Sequence, residues 1–162
     1  MSKKRKKNGR RRLEKQLAVA AQQTRAMAMG YQEQFGIELG LTAEMEPGCL
    51  ARIDQMYARF EEALLNLESQ VCPHLGATPQ PVIVFLGDLT TLHCLWCSEE
   101  ESRSLRGTKE DFTCDSCRTF DPTGVHPIYM TRGVFTFSGG FCDNCYGRGK
   151  SYTHRRYEGD KR

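Results

Sequence analysis

Four ligand pairs in the second half of the chain constrain its fold more than anything else in it. They are Cys72-Pro73-His74, Cys94-Leu95-Trp96-Cys97, Cys114-Asp115-Ser116-Cys117 and Cys142-Asp143-Asn144-Cys145. A two-residue gap lets both thiolates of a pair point at one ion while amides of the turn hydrogen-bond the sulfurs. Four such ligands close a tetrahedral site, so these eight make two complete sets. One Cys-x-x-Cys alone would serve redox chemistry equally well; three of them with a Cys-x-His read as metal sites. Zinc, as two ions, is expected over an iron–sulfur cluster, because histidine sits more comfortably in a structural zinc set.

That reading presupposes reduced thiols. A secretory signal would follow its basic start with an apolar stretch of about 7–15 residues. Here Arg12 leads into Leu13-Glu14-Lys15-Gln16. A cytoplasmic protein is expected, or a nuclear one in a nucleated cell, with no membrane partner. The longest aliphatic or aromatic run, Val82 to Leu86, is far short of the roughly 20 residues of a spanning helix.

The pairs can be joined sequentially, nested or interleaved. The sequential scheme puts Cys72, His74, Cys94 and Cys97 on one ion and Cys114, Cys117, Cys142 and Cys145 on the other. It is favoured because residues 75–93 and 118–141 contain β-type runs able to fold as hairpins. The nested scheme joins Cys94/Cys97 to Cys114/Cys117 and also has familiar zinc spacing. His93 competes with His74 for the eighth place, but it directly precedes Cys94, and neighbouring residues rarely point at one ion. His126 and His154 are expected at the surface, and Cys49 as a buried small hydrophobe.

The first half is helical in pattern. Leu13, Leu17, Ala20, Thr24, Met27 and Tyr31 recur every three or four residues, predicting a helix over about 12–34. Gly36 and Gly40 turn 35–46 into a link. Leu50, Ile53, Tyr57, Phe60, Leu64, Leu67 and Val71 predict a second helix over 47–71, opened by Pro47. Its stripe suits an antiparallel hairpin with the first helix, or a coiled coil through which the chain self-associates or holds a protein partner. After residue 71 the runs Val82–Leu86, Ile128–Met130 and Val134–Phe137 are β-type, the last two joined by a three-residue loop at Thr131-Arg132-Gly133. The expected fold class is α+β: a helical hairpin (or coiled coil) at 13–71, then a two-zinc module of short β-hairpins and knuckles at 72–146. Metal is expected to stand in for a core that the second segment is too poor in apolar residues to build.

The net charge of +3 conceals an uneven distribution. Residues 1–12 carry Lys3, Lys4, Arg5, Lys6, Lys7, Arg10, Arg11 and Arg12 and no acid, a net +8 that is expected to form a disordered or extended arm. Residues 147–162 carry +4, which leaves −9 for the 134 residues between. The arm can neutralise phosphates without reading sequence. The tail interleaves cations with aromatics through Tyr146, Arg148, Lys150, Tyr152, Arg155, Arg156 and Tyr157, a pattern that suits stacking on unpaired bases and favours RNA. Basic tails also serve as solubilising or targeting ends. The expected function is a non-enzymatic zinc protein bound to nucleic acid or a ribonucleoprotein through its ends. The alternative is a protein–protein adaptor using the 47–71 helix and the zinc module.

The segment Cys142-Asp-Asn-Cys145-Tyr-Gly147-Arg-Gly149 resembles the CxxCxGxG repeat of DnaJ-type chaperone zinc domains over eight residues. Neither Cys94–Cys97 nor Cys114–Cys117 is followed by such glycines, so the resemblance implies a local knuckle with a tight turn. A RING-like module places its Cys-x-His in mid-motif, whereas here Cys72-Pro73-His74 comes first. Motifs for a zinc deaminase, a His-Glu-x-x-His protease and a phosphate-binding loop are all incomplete. Two ions with four protein ligands each would leave no open coordination position for substrate, so no catalysis is expected.

Overall fold

The computed structural model describes residues 3–35, 47–76 and 80–147. Helix α1 spans Lys3–Phe35 and α2 spans Pro47–Leu65. Next come β1 (Gln70–Val71), β2 (Val82–Phe85), β3 (Asp88–His93), α3 (Leu95–Leu105), a 3-10 turn at Glu110–Phe112, β4 (His126–Arg132), β5 (Phe135–Phe141) and α4 (Asp143–Tyr146). The strands form one sheet in the order β1-β3-β2-β5-β4. Two antiparallel hairpins, β2–β3 and β4–β5, are joined side by side through the parallel pair β2–β5, with Val82 opposite Phe135 and Phe85 opposite Ser138. The β4–β5 turn is one residue shorter than the three expected. Arg132 pairs with Phe135, and Gly133 supplies the positive φ of 63° that a two-residue turn needs at its first position.

Both helices depart from their expected bounds. α1 begins at Lys3, so the basic block is helical and neither disordered nor extended. Lysine and arginine are good helix formers, and each like-charge pair at i,i+4 costs only about 0.2–0.5 kcal/mol. α2 stops at Leu65, not Val71, because Leu67 turns left-handed at φ 57°. The Glu68 amide then bonds to the Ala63 carbonyl at 3.0 Å and the Leu67 amide to the Leu64 carbonyl at 3.3 Å. That paired closure ends a helix, and it frees Gln70 and Val71 to join the sheet edge.

The stripe of α2 is spent on the sheet. Cys49, Ile53, Met56 and Phe60 belong to one buried cluster with Val84, Leu86, Leu92, Ile128, Met130, Phe137 and Phe141. The Phe60 ring meets Phe135 and Phe137 edge-on, each at 5.0 Å, and Tyr57 meets Phe137 at 4.7 Å. The expected hairpin or coiled coil is thereby replaced, since the face that would have formed it is covered. The boundary expected at 71/72 runs through one continuous core, and the second segment does have a core, with α2 supplying a wall of it. Strand alternation places Thr136 on the opposite face, where α1 lies against β4 and β5. Ala20, Thr24, Ile83 and Thr136 are buried there, and the Thr24 hydroxyl donates to the Ala20 carbonyl at 2.9 Å. No described helix is long and apolar enough to cross a membrane.

Candidate metal centres

Each group of ligands is assembled from a turn and from the junction between a strand and a helix. In the first, β1 runs into Cys72, whose amide bonds to the Leu92 carbonyl at 2.9 Å. His74 follows in a turn closed by the Leu75 amide on the Cys72 carbonyl at 3.0 Å. Cys94 directly follows β3 and caps α3, and Cys97 sits in the first turn of that helix. The second group repeats the plan. Cys114 and Cys117 lie on a tight turn closed by the Arg118 amide on the Cys114 carbonyl at 2.8 Å, with Arg118 at φ 60°. Cys142 directly follows β5 and caps α4, which carries Cys145. Placing a Cys-x-x-Cys across a helix start aims free backbone amides at the sulfurs, favouring thiolate over thiol.

The ligand atoms of Cys72, His74, Cys94 and Cys97 all lie within 4.8 Å of one another, and so do those of Cys114, Cys117, Cys142 and Cys145. Each group could hold one metal ion, and the sequential pairing is the one the fold brings together. The Cys94 amide donates to Cys72 Sγ at 3.3 Å and the Cys97 amide to Cys94 Sγ at 3.4 Å. His74 Nδ1 lies 3.1 Å from Cys97 Sγ, and Cys117 Sγ lies 3.7 Å from Cys142 Sγ. His93 is not in the group; its ring packs edge-on against Phe85 at 5.2 Å. The second group is the deeper one, with Cys114, Cys142 and Cys145 buried, whereas only Cys94 is buried in the first.

Thiols this close cannot all behave alike. Burial pushes Cys72 up, but the amides of Cys94 and His74 and the neighbouring sulfurs outweigh it and bring it down to about 7. Cys117 is treated likewise by Thr119 and by Cys114 and Cys145, falling to about 6. The others pay electrostatically for that. Burial and then the Cys94 and Cys72 sulfurs push Cys97 up to about 12. Burial chiefly, with Cys114 and Cys117, pushes Cys142 up to about 12 and also raises Cys145. Each group thus lowers one thiol and raises others, and a dication binding there would displace protons from the raised ones.

Three features around these groups were not foreseen. His126, expected at the surface, is 3% exposed; it bonds to the Asp143 carboxylate and stacks on Tyr146 at 4.4 Å. Tyr146 thus belongs to the body and not to the basic tail. Asp115, inside the third ligand pair, is 17% exposed at its side chain, and burial pushes its carboxyl up to about 6 against the pull of the Gly140 amide and Arg118. The third is a run of glycines: a Cβ on Gly139 would meet Leu86 Cβ at 2.7 Å, and one on Gly140 would overlap Val125. Adjacent glycines within a strand signal such close approach, so this feature at least left a trace in the sequence.

The residues expected to meet nucleic acid are less fully placed. Lys3, Lys4, Arg5, Lys6, Lys7 and Arg10 belong to α1, and Arg11 and Arg12 are exposed on it. Arg148, Lys150, Tyr152, Arg155, Arg156 and Tyr157 lie outside the described residues, as do the 36–46 link and His154. Comparison of the chain with protein-family models, curated proteins and solved structures gives no match.

Proposed function

We propose that the two groups each hold a structural zinc ion and that the protein, without catalytic activity, associates with nucleic acid or a ribonucleoprotein through its basic ends. The observation that carries the metal part is the convergence of eight ligand atoms, from four separate places in the chain, into two sets of four. Zinc suits Cys₄ and Cys₃His sets, and four protein ligands per ion leave it structural. The nucleic-acid part rests on +8 in residues 1–12 and +4 in residues 147–162, separated by an acidic body. The aromatic spacing of the tail favours RNA among nucleic acids.

Metal analysis of the protein purified without added metal is expected to return two zinc per chain; none, or another metal at full occupancy, would overturn the assignment. A mobility-shift series on RNA is expected to show affinity that falls steeply with salt. Flat salt dependence, or no binding, would remove the nucleic-acid reading and leave the zinc assignment standing.

A second reading, the adaptor, draws support from two exposed apolar side chains. Trp96 is 65% exposed and Val71 56% exposed, each next to a ligand of the first group. With the stripe of α2 covered by the sheet, these side chains are where an adaptor would hold a partner. A Trp96→Ala variant that loses a co-purifying protein yet keeps its zinc and its salt-sensitive RNA binding would favour that role.

A further inference from the structure

The basic block is the start of a 33-residue helix whose middle is fastened to the sheet. Ala20 and Thr24 are fully buried, whereas residues 11–19 are exposed apart from half-buried Gln16. From Lys3 to Ala20 the helix therefore reaches about 25 Å past its anchor at 1.5 Å per residue. At 3.6 residues per turn, positions 11 and 15 lie about 160° around the axis from the midpoint of positions 20 and 24. Arg11 and Lys15, both exposed, accordingly lie on the side away from the anchor, and the sequence continues their i,i+4 spacing with further cations at Lys7 and Lys3.

Such an end is poorly matched to itself. Like charges recur at i,i+4, and no acidic residue in the first turn offsets the positive end of the helix dipole. Gly9 weakens it further. A polyanion lying alongside reverses the sign of both electrostatic penalties. With side chains, a helix is about 10–12 Å across, which matches the roughly 12 Å major groove of B-form DNA, whereas the major groove of an A-form RNA duplex is too deep and narrow for it. We propose that the basic end of α1 binds duplex DNA as a helix laid in the major groove, held in direction by the Ala20–Thr24 anchor on the sheet. This rests on the nucleic-acid reading above and names the substrate class for the N-terminal end.

Two substitutions at Gly9 separate helix from charge, because neither alters the net charge. The zinc-loaded full chain is titrated, at two salt concentrations, against a 20-base-pair DNA duplex, the RNA duplex of the same sequence, single-stranded RNA of that length, and phosphatidylglycerol vesicles. The DNA duplex is expected to bind at least tenfold more tightly than the RNA duplex, with a rise in helical circular dichroism. Gly9→Ala should strengthen DNA binding about threefold, and Gly9→Pro should erase the preference while salt-sensitive binding persists. Changing Arg11 and Lys15 to Gln should reduce the log–log salt slope by about two. Equal affinity for the two duplexes, a preference for the RNA duplex, vesicle binding alone, or a duplex preference indifferent to Gly9→Pro would each overturn the groove proposal, while single-stranded RNA reads the tail. Absence of salt-sensitive binding to any nucleic acid would overturn the parent reading as well.

Discussion

Asp115 and Gly140 hold each other twice: the Asp115 amide donates to the Gly140 carbonyl at 2.8 Å, and the Gly140 amide donates to Asp115 Oδ2 at 2.7 Å. This two-bond clasp ties the turn of the third ligand pair to the end of β5, two residues before Cys142. It sets the distance between the two halves of the second metal group. Asp115→Ala leaves the Gly140 amide without its acceptor and should cost about 1–3 kcal/mol in chemical unfolding, whereas Asp115→Asn keeps an oxygen there and should cost less. Equal loss in both variants would show that the clasp is not what Asp115 contributes.

The two metal groups should part with their ions in a fixed order. His74 is exposed and Cys72 and Cys97 are half-buried, while three of the four ligands of the second group are buried. A chelator is therefore expected to strip the first group before the second. Cobalt replacement can follow this, because the Cys₃His and Cys₄ spectra differ. Since thiols such as Cys97 and Cys142 are pushed up to about 12 in the absence of an ion, binding must release protons. Apparent affinity at both groups should fall as pH is lowered from 8 to 5. Simultaneous loss, or release beginning at the Cys₄ group, would contradict this ordering.

Phe60 links α2 to the strands that lead to the candidate metal ligands. Phe60→Ala removes a ring in contact with Phe135 and Phe137 and should cost about 3–5 kcal/mol. Because one core spans both segments, helical signal and zinc should be lost in a single transition, at a lower denaturant concentration than in the parent. Zinc retained after the helical signal of α2 has gone would mean two independent units.

Cys49 is 2% exposed, and burial pushes its thiol up to about 11 against the opposing influence of Arg52. A thiol raised in this way contributes stability that is fully present below its unfolded value, near 8.5, and is lost as pH climbs through the folded one. With zinc bound, unfolding free energy should not change on this account up to about pH 8.5 and should decline from there toward pH 11. At pH 8, alkylation of Cys49 should proceed only as fast as the protein unfolds. Rapid labelling of the native protein at that pH would refute the burial.

The grouping of the eight candidate ligands could be read in the chain because it is a matter of local spacing: Cys-x-x-Cys and Cys-x-His need only a turn, and β-type runs within 75–93 and 118–141 sufficed to pair them. The fate of the α2 stripe could not. Ile53 and Phe60 announce a buried face, yet a helix and a sheet present equally good surfaces to it, and which one covers it depends on the β2–β5 pairing between residues some fifty positions apart. Leu67 broke the helix through a left-handed turn that glycine normally marks, so nothing in its side chain gave warning. His126 looked like a surface residue until Asp143 and Tyr146, brought round by β5, supplied a carboxylate and a ring for it.

The parallel pair β2–β5 has a consequence for the chain as it emerges from the ribosome. Every ligand of the first group has been made by residue 97, but β5 is not complete until Phe141. For that interval β2 has its neighbour β3 on one side and no strand on the other, and α2 lacks Phe135 and Phe137. An early-loaded first ion would hold β1, β3 and α3 together as a waiting platform, and synthesis of the last strand would close the molecule in one step, completing the core and the second metal group together.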